Sequence, residues 1–207
     1  LDHLSLGKIV QIRERLLAAQ AAGRTVYRFE SGDPSFAPPA HVIAALADAA
    51  ARGQTHYPPN NGIPALRAAI RRKLAQVNGI ALPHDDCTYV TNGSMHGLFV
   101  TFESLLDPGD EVLLPDPMWT EVAENVRLAG GVAVGVPLFA RDGFAYDPDA
   151  IARHVTKRTK AIFVNTPHNP TGAVCERERL LAILRVADAR GLWVVSDEAY
   201  EGVIYAP

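Results

Sequence analysis

The stretch between residues 160 and 200 constrains this chain more than any other. Lys160-Ala-Ile-Phe-Val164 is a short apolar run that passes directly into Asn165-Thr-Pro-His-Asn-Pro-Thr-Gly172. The run reads as a buried strand, and the Pro/Asn/Gly cluster as the loop that leaves it. Residues 176–190 follow with Leu180, Leu181, Leu184 and Ala187 at helical spacing, and Gly191 closes the helix. Leu192-Trp-Val-Val195 repeats the strand pattern and ends in Ser196-Asp-Glu-Ala-Tyr200. A strand, helix, strand order needs a crossover, so the two strands run parallel in one sheet. Both polar loops then leave the same carboxyl edge, where open α/β sheets bind ligands, and Asn169, Asp197 and Tyr200 can converge on one small molecule. Read singly, Asn169-Pro170 is an Asx turn and Asp197 a helix cap.

The rest of the chain repeats this alternation. Helices are expected over residues 4–22, with Ile9, Ile12, Leu16 and Ala19 on one face, and over 41–52, 64–78, 94–106, 121–129 and 149–154. Pro64 sits in a first helical turn, where a missing N–H costs little. Strands are expected at Val26-Tyr-Arg-Phe29, Cys87-Thr-Tyr-Val90, Glu111-Val-Leu-Leu114 and residues 132–137. Turns fall at Glu30-Ser-Gly-Asp-Pro34, Asp107-Pro-Gly-Asp110 and Gly130-Gly131, and Gly143-Phe-Ala-Tyr-Asp-Pro148 reads as a connecting loop. The repeated order predicts a doubly wound α/β domain, a mostly parallel sheet with helices on both faces. Residues 1–30 are expected to form an N-terminal helix and linking strand, and residues 31–207 the large domain.

Composition narrows the function classes. With 20 Lys and Arg against 23 Asp and Glu, the net charge of −3 leaves no basic footprint for nucleic acid or an anionic membrane. No apolar run approaches the roughly 20 residues that span a bilayer. Asp2, His3 and Lys8 break any signal-peptide pattern at the N-terminus. Cys87 and Cys175 lie outside any Cys-x-x-Cys spacing, and the seven histidines show no metal-ligand spacing. The expectation is a cytoplasmic protein that binds neither membrane nor nucleic acid and holds no metal.

Two further segments carry chemistry. Thr91-Asn-Gly-Ser-Met95 joins an expected strand to a helix N-terminus, where N–H groups and the helix dipole favour an anion. Alone, Gly93-Ser94 before a helix is only an N-cap. Trp119, in Pro115-Asp-Pro-Met-Trp119, is by itself a core or interface aromatic, and Tyr57 a half-buried loop aromatic. His168 reads either as an ordinary loop histidine or as a neighbour of the Asn169 ligand.

Asn169-Pro-Thr-Gly172, followed after a helix by Ser196-Asp-Glu-Ala-Tyr200, resembles the fold type I pyridoxal-phosphate enzymes of the class I/II aminotransferase family, in an aspartate aminotransferase-like pattern. Gly53-Gln-Thr-His-Tyr-Pro-Pro-Asn-Asn-Gly62 is similar to the family's Gly-x-Thr-x-Tyr-x-Pro-x-x-Gly segment. The resemblance implies the large cofactor-binding domain, pyridoxal 5'-phosphate as cofactor, and amino-group exchange between an amino acid and a 2-oxo acid. It implies that Asp197 faces the pyridine nitrogen, that Asn169 and Tyr200 donate to the phenolic oxygen, and that Trp119 stacks on the ring. Gly93, Ser94 and Met95 hold the phosphate in this reading, and Tyr57 reaches the phosphate of the other subunit of a homodimer. Gly32 lies against the substrate carboxylate, with Trp119 and Asn169 also lining the substrate. Met95 departs from relatives that act on dicarboxylic amino acids, some of which carry a basic residue there.

The family's imine-forming lysine, also its proton-transfer base, follows the Ser-Asp-x-x-Tyr motif by some tens of residues. Lys8, Lys73, Lys157 and Lys160 all precede that motif. The expectation is the N-terminal half of an aminotransferase about twice as long, with the small domain outside these residues and no transamination by them alone. A fold type I lyase or synthase shares every motif named. A non-catalytic ligand-sensing domain on the same fold is the alternative from a different class.

Overall fold

The computed structural model describes residues 8–29, 31–32, 34 and 36–205, in two compact units that meet in sequence between Asn92 and Gly93. The expected helix start at residues 4–7, and Glu30 and Asp33 of the expected turn, lie outside the described residues.

The first unit holds α1 (Lys8–Ala21), α2 (Ala40–Ala51), α3 (Pro64–Val77) and a 3₁₀ turn at Asp85–Cys87. Two expected strands do not form. Val26-Tyr-Arg-Phe29 joins no sheet among the described residues, with Tyr27 81% and Phe29 92% exposed. Its β-branched and aromatic residues supply strand propensity, but propensity makes a strand only where another strand lies alongside. Cys87 belongs to the 3₁₀ turn, and the extended residues after it bond elsewhere: Val90 N–H donates to the Asn61 carbonyl (3.1 Å), and Arg67 Nε to the Thr88 carbonyl (3.0 Å). The Asn61 contact requires glycine next door. Gly62 has φ +97°, and a Cβ there would meet Val90 Cγ2 at 2.5 Å.

The second unit is built on a four-stranded sheet in the order β2-β1-β3-β4, every pair parallel. The strands are β1 (Glu111–Asp116), β2 (Val132–Pro137), β3 (Thr159–Asn165) and β4 (Trp193–Asp197). Alternating side chains point to opposite faces. Val112, Leu114, Ala161 and Phe163 pack with Leu98 and Phe102 of α4 (Gly93–Leu105) and Val122 and Val126 of α5 (Thr120–Leu128). Leu113, Ile162 and Val164 pack instead with Ile151 of α6 (Pro148–His154) and Ile183 and Ala187 of α7 (Arg177–Arg190). Helices therefore cover both faces, as the alternation predicts.

The strand order also locates the binding edge. From β1 the chain moves outward to β2, then returns to β3 on the other side of β1 and continues to β4. The order reverses between β1 and β3. The loop after β1 feeds α5 on one face and the loop after β3 feeds α7 on the other, so a crevice opens between them at the carboxyl ends.

The amino end of the sheet is tied by a buried carboxylate. Glu111, 3% exposed, accepts from Thr156 Oγ1 at 2.5 Å and from Arg158 Nη2 and Nε at 2.7 and 3.1 Å. The Thr156 hydroxyl holds its pKa below the ordinary 4.5, burial opposes this, and the Arg158 guanidinium adds to the lowering. A depressed folded-state pKa contributes stability that is present above 4.5 and lost as pH falls through the folded value. Because Arg158 is 70% exposed, solvent screens its share. Glu111→Gln is expected to cost about 1–3 kcal/mol at neutral pH and to flatten the acid limb of a urea-midpoint-versus-pH curve; an unchanged limb contradicts this.

Candidate active site at the carboxyl edge of the sheet

Paired β3 and β4 end together, with Asn165 opposite Asp197. Beyond this last rung the backbone continues into the Asn169 loop on one side and the Glu198–Gly202 turns on the other. The Asn165 side chain extends the pairing past the ladder. Its Oδ1 accepts from Asn169 N–H at 2.7 Å, and its Nδ2 donates to the Asp197 carbonyl at 3.1 Å. Thr166 N–H donates to the same carbonyl, also at 3.1 Å.

The predicted trio lies together at this edge. Asn169 Nδ2 donates to Tyr200 Oη at 3.4 Å, a long bond. Asp197 is half-buried, and its Oδ1 accepts from Ala199 N–H at 3.1 Å. That is an Asx turn leading into residues 199–202 rather than the helix cap of the single-residue reading, and the carboxylate keeps acceptor capacity for a ligand.

Beneath the loop is a layer of buried polar groups. Tyr146, 4% exposed, donates its hydroxyl to the Asn165 carbonyl (3.1 Å) and accepts from Asn165 N–H (3.0 Å). Burial raises the phenol pKa far above its usual range. Its ring meets His168 edge-on, with centroids 6.1 Å apart and planes at 83°. His168 is 2% exposed and its Nδ1 lies 2.7 Å from Thr171 Oγ1. Burial lowers the imidazole pKa, with the Pro117 carbonyl acting the other way, so the ring is neutral at pH 7. Among the described residues, no group meets hydrogen-bond geometry at His168 Nε2. The peptide bonds before Pro117, Pro167 and Pro170 are cis.

Across the crevice, α4 begins at Gly93, whose φ of +75° suits glycine and whose missing Cβ would meet nothing within 4 Å. Ser94 is exposed there. First-turn N–H groups have no acceptor inside their own helix, so this end of α4 offers donors and a positive dipole. Asn125 Nδ2 of α5 donates to the Met95 carbonyl at 3.2 Å, fixing the two helices at this edge. Met95, Met118 and Trp119 pack against the same apolar cluster, so Trp119 has a half-buried indole beside β1's end.

Two predicted site residues belong to the first unit. Gly32 is exposed with open space around it, and Tyr57 has its phenol fully in solvent. Sequence reasoning missed Asn165, Tyr146 and Asn125. Asn165 left one signal: it is the polar residue that closes an otherwise apolar strand. Among the described residues no cluster of His, Cys, Asp or Glu could hold a metal, no helix is long and apolar enough to cross a membrane, and Cys87 and Cys175 are both free thiols.

A parallel sheet with helices on both faces and polar side chains at its switch point defines an α/β protein whose carboxyl edge is the candidate ligand site. Residues 24–207 match the profile of the family described as aminotransferase class I and II, and the chain belongs to that family. It is 41% identical over 95% of its length to an aspartate/prephenate aminotransferase of Thermus thermophilus, of which it covers 51%. It is 39% identical over 94% of its length to an aspartate aminotransferase of Geobacillus stearothermophilus, covering 49%. Among solved structures, Thermus thermophilus aspartate aminotransferase with maleate superposes on all of this chain with a TM-score of 0.95 at 39% identity, 54% of that chain being covered. An alanine aminotransferase from Pyrococcus furiosus superposes on 96% of it, with a TM-score of 0.92, 34% identity and 51% coverage. The chain thus spans about half the length of the curated relatives it matches.

Proposed function

We propose that the protein is a pyridoxal-phosphate-dependent aminotransferase that moves an amino group between an amino acid and a 2-oxo acid. The observation that carries this reading is the Asn169 carboxamide 3.4 Å from the Tyr200 phenol, beyond the β3–β4 rung that ends in Asp197 at the carboxyl edge of the sheet. The donor set fits pyridoxal 5'-phosphate. An acid, two neutral donors, an indole face and an anion-binding helix end are what a pyridinium, a phenolate and a phosphate need. The open space at Gly93 leaves room for the phosphate's approach.

Bound there, the cofactor supplies a ring that takes up charge when the substrate loses its α-proton. Each side chain then has a task. The Asp197 carboxylate holds a proton on the ring nitrogen. Asn169 and Tyr200 donate to the phenolic oxygen, favouring its anionic form. Trp119 fixes the ring plane, while Ser94 and Met95 offer N–H groups to the phosphate. Gly32 accommodates the substrate carboxylate. Tyr57, exposed on this chain, reaches the phosphate of a second subunit, which makes the protein a homodimer. A cytoplasmic location accompanies this reading, in keeping with the two free thiols.

The test is nitrogen transfer. The product of the complete gene, incubated with pyridoxal phosphate, a nitrogen-labelled amino acid and a 2-oxo acid, is expected to pass the label to the oxo acid. Consumption of the amino acid without label transfer would mark a lyase or synthase instead.

A further inference from the structure

We propose that Asn165 is a positioning residue whose carboxamide locks the Asn169 loop to the Asp197 strand, so that Asn169 and Asp197 address two polar groups of one bound ring, its phenolic oxygen and its nitrogen. The proposal rests on the aminotransferase reading. Its geometry stands apart from the motifs that suggested that reading.

Asn165 is 5% exposed and every polar group it has is used. Its side chain accepts from Asn169 N–H at 2.7 Å and donates to the Asp197 carbonyl at 3.1 Å. Its own N–H and carbonyl both bond the Tyr146 hydroxyl, at 3.0 and 3.1 Å. The backbone is therefore pinned from below while the side chain spans the gap above. Only a carboxamide offers one acceptor and one donor at a fixed separation from a single short stem. Asp supplies no donor, Ser cannot span both partners, and Leu supplies neither group.

The position explains why such a bridge is needed. The β3–β4 ladder stops at the Asn165–Asp197 rung, which holds Asp197, and Asn169 lies beyond it. Asn169 is anchored to this ladder at its backbone N–H through Asn165, and its carboxamide reaches the Tyr200 hydroxyl beyond β4 at 3.4 Å. Without the Asn165 side chain Asn169 loses its direct tie to the ladder, and the spacing between the phenolic-oxygen donor and the ring-nitrogen acid would rest on that long bond and on the Thr166 N–H bond to the Asp197 carbonyl three residues upstream. A displacement near an ångström at such a site costs on the order of 10²-fold in rate.

The test uses the product of the complete gene as wild type, Asn165→Ala, Asn165→Asp and, as a comparison, Thr156→Val at the far end of the sheet. Three quantities are read: cofactor dissociation constant by absorbance titration of the cofactor-free protein, the pH midpoint of the cofactor's visible band, and kcat against KM. Asn165→Ala is expected to weaken cofactor binding about tenfold, to raise the pH midpoint because the anionic phenolic oxygen loses its oriented donor, and to lower kcat far more than KM. Asn165→Asp keeps the acceptor for Asn169 N–H and should fall between wild type and Ala, which preserves the test if the Ala variant does not fold. Thr156→Val lowers the melting temperature and leaves the band midpoint unchanged. If the Asn165 variants melt lower but keep the wild-type midpoint and dissociation constant, Asn165 is structural only and the proposal is overturned. If wild type itself binds no pyridoxal phosphate, the aminotransferase reading fails and takes the proposal with it.

Discussion

Asp197→Ala lowers amino transfer by on the order of 10²–10³-fold, the usual cost of removing a preorganised charge from where it stabilises a transition state. Folding should hardly notice. Asp197 is half-buried, and its carboxylate bonds Ala199 N–H in a surface turn, so the loss belongs with ordinary turn substitutions of about 1 kcal/mol or less. The charge matters more than the shape. Asp197→Asn keeps the Asx turn yet cannot hold a proton on a ring nitrogen, so it should lose nearly as much rate as Ala. Single-turnover kinetics beside a thermal melt of each variant separates the two effects. Equal activity in Asp197→Asn and wild type would remove Asp197 from the mechanism.

Phe102→Ala is expected to have the largest effect on stability, about 3–5 kcal/mol. Phe102 is completely buried on α4, among Val112, Leu114, Val126 and Phe163, and its removal opens a cavity that the sheet cannot close by collapsing. Surface ion pairs are small beside this. Arg52–Asp48, at 2.9 Å with both side chains 61% exposed, belongs to a class worth about 0.2–1 kcal/mol. The consequence reaches the site, because α4 carries Gly93, Ser94 and Met95 at its N-terminus. A urea-midpoint shift in Phe102→Ala no larger than that of Arg52→Ala would contradict the packing account.

The second unit was largely legible because its signals are local. Residues 132–137, which follow a glycine pair, form β2 as expected; the runs beginning at Glu111 and Lys160 become longer strands, and the Leu192–Val195 run becomes β4 shifted to Trp193–Asp197. The crossover rule brought Asn169, Asp197 and Tyr200 to one edge before any coordinate was needed. The failures share one cause. Val26-Tyr-Arg-Phe29 and Cys87-Thr-Tyr-Val90 have the composition of strands, but a strand exists only when another backbone lies beside it, and that partner is not written in the segment. Tyr146 and Asn165 escaped notice for a related reason. Tyr146 meets its partner 19 residues away and Asn165 meets Asp197 32 residues away, separations over which no local periodicity carries information.

The central claim is that Asp197, Asn169 and Tyr200 hold pyridoxal phosphate in a working transaminase, and an absorbance spectrum tests it most directly. The product of the complete gene, purified and scanned before and after addition of an amino acid, is expected to show a visible band that moves into the ultraviolet as the amino group is taken up. A protein that shows no bound chromophore even with added pyridoxal phosphate would contradict the account and leave these residues as the scaffold of a non-catalytic binding module.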